Sequence, residues 1–294
     1  MTCRPSPVAM IVAVIPALFA AIAFLSMADH ADAFDSKMRS TYADLASKVA
    51  LTASDLPSAD SQLWVAIVGG PGSGKSTLAH AVADLCESEH GTPACVLPMD
   101  GFHFPRARLA ELDPPDALRY LPRRGAPHTF DAEGLTQALR DAKRERAAVM
   151  PDYSREISDP VLGGAELKPH HRVVLVEGNY LLLGALLEQH LDIDDASLSP
   201  LEGEPPLTVE CERWTGLLEI WDESWFILPE GGMEEVRRRL IERHLKTWTD
   251  AKTKAWGATT AREGATKRAE FNDLRNALLV ERCQFYADSL IKSI

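Results

Sequence analysis

Leu63-Trp64-Val65-Ala66-Ile67-Val68 runs directly into Gly69-Gly70-Pro71-Gly72-Ser73-Gly74-Lys75-Ser76-Thr77, and this junction decides how the chain is read. The apolar run suggests a buried strand, G-x-x-x-x-G-K-S follows at once, and Leu78, Val82, Leu85 and Cys86 then recur with helical character. Strand, glycine-rich loop, helix is the order that a phosphate-binding loop requires. Its glycines let successive backbone N–H groups converge on a phosphate, and the helix behind it presents its positive N-terminus. In that arrangement Gly69–Thr77 cradles a nucleoside triphosphate, the Lys75 ammonium reaches the outer phosphates, and the Ser76 hydroxyl ligates Mg²⁺.

Working outward, 294 residues with 46% hydrophobic and 25% charged side chains suffice for a full core in one large domain or two small ones. A net charge of −12 argues against a nucleic-acid scaffold. Local basic groups remain, at Arg123-Arg124 and Arg237-Arg238-Arg239, suited to a small phosphorylated ligand. The cysteines (Cys3, Cys86, Cys95, Cys211, Cys283) are odd in number and lack C-x-x-C spacing, so they support neither a disulfide framework nor a zinc site. Cys86 and Cys95 sit in apolar surroundings and read as core thiols.

Val8 to Ala28 carries no charge and is long enough to cross a membrane at about 1.5 Å per residue. Arg4 precedes it and Ala31-Asp32-Ala33 offers an A-x-A cleavage pattern. A cleaved signal or plastid-type targeting sequence, an uncleaved anchor, and an extension without a cellular role all fit. The expected organisation is a leader over residues 1–34 and one domain over 35–294, with membrane contact only if the leader is retained and with homodimerisation left open.

Within the domain, Met38, Tyr42, Leu45 and Val49 predict a first helix that ends near Asp55-Leu56-Pro57-Ser58. Strands are expected at Ala94–Met99, Val173–Val176 and Trp225–Leu228, and helices at Ala132–Arg146 and Glu234–Trp248. Pro105–Pro127 reads as a polar, proline-rich segment and Asp192–Glu212 as an acidic surface loop. Alternating strands and helices predict an α/β fold, a parallel sheet covered on both faces with a lid carried by the later helices.

Asp100 leaves the carboxyl end of a strand, the edge where open parallel sheets bind ligands. A carboxylate there can take the proton of an acceptor hydroxyl during phosphoryl transfer, although a turn-capping role fits its position equally. Glu177 ends the strongest strand, which suits an acidic residue that completes a Mg²⁺ site. Arg239 and Arg243 lie four apart on one helical face, suited either to clamping a triphosphate or to plain solvation. Arg123, Arg124, Tyr153 and Arg155 fall in polar, loop-like stretches unsuited to a core and are candidate acceptor ligands.

Taken in order, Gly69–Thr77, Met99-Asp100-Gly101-Phe102-His103, Arg124-Gly125-Ala126-Pro127-His128-Thr129-Phe130-Asp131, Pro151-Asp152-Tyr153-Ser154-Arg155 and Val176-Glu177-Gly178-Asn179-Tyr180 resemble the phosphoribulokinase/uridine kinase family of P-loop kinases. The resemblance includes bacterial-type pantothenate kinase and runs from about Asp35 to the C-terminus. It implies a three-layer α/β/α sandwich with a helical lid that uses ATP and Mg²⁺ to phosphorylate a hydroxyl of a small metabolite. Asp100 then matches the carboxylate that activates the acceptor, Glu177 the acidic residue near magnesium, and Arg239 and Arg243 the lid arginines of an R-L-x-x-R pattern. Tyr153 and Arg155 fall where relatives contact the acceptor, and Asn272-Asp273-Leu274-Arg275-Asn276 resembles a stretch near the nucleotide. Gly-Phe-His after Asp100 departs from the uridine kinase pattern and Tyr153-Ser154-Arg155 from the pantothenate kinase one. Uridine-like nucleosides lead the expected acceptors, followed by pantothenate-like alcohols and sugars. A partner-driven ATPase without an acceptor is the alternative from another class. The resemblance implies a cytoplasmic protein, whereas the leader implies targeting or anchoring.

Overall fold

Apolar runs without a polar face form strands that are covered on both sides. Here β1 (Leu63–Val68) and β5 (Val173–Gly178) are buried at every position, and β6 (Glu223–Pro229) at every position after Glu223. With β2 (Ala94–Pro98) and β7 (Ser289–Ser293) they make a five-stranded sheet in the order β2-β5-β1-β6-β7, and each neighbouring pair is parallel. The computed structural model describes residues 38–113, 120–154, 156–187 and 200–294. Thr41–Ile294 form one unit, and of the other unit, Met1–Ser40, residues 38–40 are described. The leader, Arg155 and residues 192–199 therefore lie outside the described residues.

Alternation along β1 sends Trp64, Ala66 and Val68 to one face, where they pack with Leu135, Leu139 and Ala142 of the helix Ala132–Glu145 and with Trp214. The opposite face is covered by α1 (Arg39–Ser54) and α2 (Lys75–His90), joined where Cys86 Sγ meets the Ala46 carbonyl at 3.7 Å. Next come α3 (Arg106–Leu112) and α4 (Ala132–Glu145), then α5 (Leu207–Trp214). The lid is α6 (Gly232–Leu245), α7 (Asp250–Ala255) and α8 (Ala261–Arg268); a π-helical turn (Ala269–Asp273) leads from it into α9 (Leu274–Glu281). A small second core of Val236, Leu240, Ile241, Ala265, Ala269 and Ala277 joins α6 and α8 to the π-helical turn and α9, while α7 buries no side chain. Among the described residues no helix is long and apolar enough to cross a membrane.

Three expectations are corrected. The stretch expected as an acidic surface loop to Glu212 contains α5 from Leu207, with Glu210, Cys211 and Trp214 buried on it. Pro105–Pro127 contains α3, and its Arg123 is buried rather than exposed in a loop. Tyr153 lies in a strand: β3 (Ala148–Ser154) pairs antiparallel with β4 (Asp159–Leu167) as a separate hairpin, with a bulge between Met150 and Asp152. Pro151 and the Gly163-Gly164 pair disguise it, because both residue types normally interrupt strands.

Candidate active site

Strand register assembles the site. Ile67 pairs with Glu177, Val68 with Gly178, and Pro98 with Glu177, so the phosphate loop, the Asp100 turn and Glu177 all leave the same carboxyl edge. In the loop, Gly72 and Gly74 adopt φ of 82° and 102°, a left-handed backbone that L side chains rarely accept. The curled loop runs straight into the N-terminus of α2, where Lys75 is the first helical residue. The buried Ser73 hydroxyl has no hydrogen-bond partner among the described residues, and a phosphate oxygen held in the loop would pair it.

Lys75 Nζ donates to Asn179 Oδ1 at 2.8 Å and to the Gly70 carbonyl at 3.3 Å. Burial holds its pKa below the ordinary lysine value; the charges of Glu177 and Asp100 oppose that shift and Arg243 adds to it. A nearby triphosphate would favour the charged ammonium. Ser76 Oγ donates to Glu177 Oε1 at 2.9 Å, and Glu177 is itself buried. This hydroxyl–carboxylate pair is the hard-oxygen donor set that suits Mg²⁺, an ion that takes few protein ligands and keeps water and phosphate for the rest.

Asp100 sits in a 3₁₀ turn (Met99–Phe102) pressed against β3 so closely that a Cβ on Gly101 would lie 2.0 Å from the Pro151 carbonyl oxygen. His103 locks the turn, its backbone N–H and its Nδ1–H both donating to the Asp100 carbonyl at 3.2 and 2.8 Å. The carboxyl group of Asp100 itself has no hydrogen-bond partner among the described residues. The His103 ring packs 3.9 Å from Phe130 and 4.9 Å from Tyr153, centroid to centroid, and burial lowers its pKa. Arg124 lies over the Tyr153 ring at 5.4 Å and donates to the Ser158 carbonyl at 2.6 Å and to Asp159 Oδ1 at 2.8 Å. Its buried Nε has no hydrogen-bond partner among the described residues. Burial also raises the Tyr153 pKa, keeping the phenol protonated as a donor.

Arg123 is placed differently from its neighbour. Its guanidinium is buried and donates to Glu204, Asn272 and Asn276, so it braces the interior rather than facing an acceptor. Arg123→Ala is expected to lower unfolding free energy by about 3–5 kcal/mol, because it strands the buried Glu204 carboxylate. Urea denaturation checks this, and a midpoint like that of the parent would refute it.

Beside this pair, His128 is buried and its pKa is depressed to about 4, chiefly by desolvation. Its folded pKa lies below its unfolded one, so stability is intact above pH ~6.5 and falls as the unfolded chain alone takes up the proton, by on the order of 1 kcal/mol per pH unit. Glu204, whose pKa is lowered by Arg123 against a desolvation cost, adds a further loss below the usual carboxylate range. The thermal midpoint should therefore drop from pH 6.5 to 4, and His128→Gln should flatten that slope.

The lid arginines flank the loop. Arg239 Cβ lies 3.8 Å from where a Gly72 Cβ would stand, while its guanidinium bonds Glu235 Oε1 at 2.7 Å and the Ile294 carbonyl at 2.8 Å. Arg243 reaches Asp273 Oδ2 at 3.4 Å, which His244 Nε2 also contacts at 2.6 Å. Both arginines thus rest on protein acceptors that phosphates would compete with. On the loop's other side, Ala277 of α9 comes within 3.2 Å of a Gly70 Cβ position, and Ser293 Oγ donates to the Ser73 carbonyl at 3.0 Å.

His244 and Ser293 carry no signal in the sequence as working residues, and Asn179 and Asp273 enter only within resembling stretches. Asn179 follows Glu177-Gly178 directly, so its place beside Lys75 is a local consequence of where β5 ends. The other contacts depend on distant elements meeting.

No family profile matches the chain. A Schizosaccharomyces pombe protein provisionally named a uridine kinase is 28% identical over 236 residues, covering 79% of this chain and 84% of its own length. An ATP-dependent kinase-like protein of Aspergillus versicolor is 33% identical over 152 residues, covering 50% of this chain and 71% of its own. Among solved structures, a provisionally named fructose transport system kinase from Silicibacter sp. TM1040 superimposes with a TM-score of 0.62 at 32% identity, over 84% of this chain and 98% of that one. A phosphate loop with its lysine in place, a carboxyl group opposite and kinase relatives spanning the same elements leave one assignment: the chain belongs to the uridine kinase-like family of P-loop kinases, ATP-dependent phosphotransferases that act on small molecules.

Proposed function

We propose that this kinase phosphorylates a hydroxyl of a uridine-like nucleoside, with Asp100 as the acceptor-activating base. The observation that carries the reading is the Asp100 carboxyl group at the sheet's carboxyl edge, which has no hydrogen-bond partner among the described residues and lies close enough to act electrostatically on Lys75 and Tyr153. Asp100 takes the acceptor proton as the hydroxyl oxygen bonds to the γ-phosphorus and the bond to the β,γ-bridging oxygen breaks, releasing ADP. Lys75 and the N–H groups of Gly69–Thr77 hold the phosphates, and Arg239 and Arg243 close over them from the lid. Ser76 and Glu177 would hold Mg²⁺, which supplies charge neutralisation at the phosphates. A nucleoside base suits the aromatic wall of Tyr153 and His103, and the free Nε–H of Arg124 suits a carbonyl or hydroxyl oxygen on the acceptor.

A sugar-type acceptor is the second reading, supported by the fructose-named relative. ADP release is to be followed with nucleosides, pantothenate, sugars and sugar phosphates, with the product identified by mass spectrometry. Uridine raising ADP release far above the other compounds supports the nucleoside reading. A sugar doing so instead replaces it, and uniform low hydrolysis overturns both.

A further inference from the structure

The π-helical turn Ala269–Asp273 joins the lid helix α8 to α9, and its last two residues, Asn272 and Asp273, are both buried. Such turns are rare and concentrate at functional sites. Consecutive helical residues do not share a face, so the two side chains meet different parts of the molecule.

Asn272 meets the acceptor side. Its Nδ2 donates to the Arg124 carbonyl at 2.7 Å, while its Oδ1 accepts from the Arg123 guanidinium. Tyr180 holds the next carbonyl of that turn, its hydroxyl donating to Gly125 O at 2.6 Å. The stretch that bears Arg124 is thus fixed at two successive carbonyls, one of them by Asn272.

Asp273 meets the lid. Its Oδ2 accepts from His244 Nε2 at 2.6 Å and from Arg243 at 3.4 Å. The Arg243 side chain is 53% exposed and its contact is the looser one, so it is the partner that a triphosphate would draw away. Burial disfavours the Asp273 carboxylate, yet His244, Arg268 and Arg243 hold its pKa below the ordinary value. His244 and Arg268 leave that carboxylate with partners after Arg243 departs.

The two halves touch. Asn272 Nδ2 also lies 3.4 Å from Asp273 Oδ1, and an amide nitrogen has a hydrogen for each of its two acceptors. A chain of contacts therefore runs from the Arg124 carbonyl through Asn272 and Asp273 to Arg243. Removing Arg243 leaves more uncompensated charge on Asp273 and strengthens its pull on the Asn272 amide.

We propose that Asn272 and Asp273 are positioning residues, a hydrogen-bonded strut through which nucleotide binding at Arg243 resets the turn that carries Arg124. The strut rests on the proposed roles of Arg243 at the phosphates and Arg124 at the acceptor.

The test is backbone hydrogen exchange of the full chain, read by mass spectrometry with and without a non-hydrolysable ATP analogue and Mg²⁺. It needs no acceptor, so its outcome is independent of which compound is phosphorylated. In the parent, the analogue should slow exchange in the lid, residues 236–245, and also in the turn, residues 121–130. Asn272→Asp keeps the shape and the oxygen that Arg123 uses but removes the donated hydrogens. Asp273→Asn keeps the contact with Asn272 but removes the charge that Arg243 balances. Each variant should retain the lid response and lose the turn response. An unresponsive turn in the parent, or an undiminished turn response in either variant, overturns the strut alone. Loss of both responses in both variants marks a merely structural role and overturns it too. An unresponsive lid in the parent overturns the role of Arg243 at the phosphates, and the strut with it.

Discussion

Asp100→Asn is expected to lower kcat by about 10²–10⁴-fold, the usual contribution of a positioned general base. The substitution preserves volume, and the Asp100 carbonyl that receives the two His103 hydrogen bonds belongs to the backbone, so the turn stays intact. Nucleotide affinity should persist, because the phosphates are held by Gly69–Thr77 and Lys75 on another strand. The check is steady-state kinetics beside a direct ATP-binding titration. Near-parental turnover would remove Asp100 from catalysis and leave it as a turn residue. Loss of ATP binding together with turnover would show that the substitution disturbed the whole edge rather than the proton transfer.

Lys75→Ala is expected to weaken nucleotide binding and slow transfer together. The amine is buried, and desolvation pushes its pKa down against the opposing charges of Glu177 and Asp100, so its electrostatic contacts in this dry site are strong. Removing one preorganised donor from developing phosphate charge costs about 10²–10³-fold in kcat. KM for ATP should rise about tenfold or more, the effect of losing a charge-assisted hydrogen bond of roughly 1.5–3 kcal/mol. Asn179 and Gly70, the present acceptors of Lys75, would lose their donor, so the far-ultraviolet circular dichroism should be recorded alongside. Unchanged kinetics with an unchanged spectrum would overturn the phosphate-loop assignment.

The contrast between Arg123 and Arg124 shows how far local reading reaches. Both stand in one polar stretch, yet Arg123 is drawn inward to Glu204, Asn272 and Asn276, while Arg124 lies over Tyr153 at the hairpin. Nothing in the dipeptide distinguishes them; residues about 80 and 150 positions away do. The same holds for the lid. Four-residue spacing puts Arg239 and Arg243 on one face, but their resting partners, Glu235 with Ile294 and Asp273, come partly from the far end of the chain. The hairpin carrying Tyr153 was hidden because its proline and glycines read as a loop, whereas pairing across β3 and β4 overrides that preference.

By itself the sequence determined the parallel sheet, the phosphate loop and the residues at its carboxyl edge. These are local: an apolar run long enough only for a strand, a glycine pattern that curls the backbone, and a helix start beside it. Tertiary structure alone decided which polar residues are interior braces and which face a ligand. Burial of a charge depends on partners brought together by folding, and no spacing within one segment can encode their meeting.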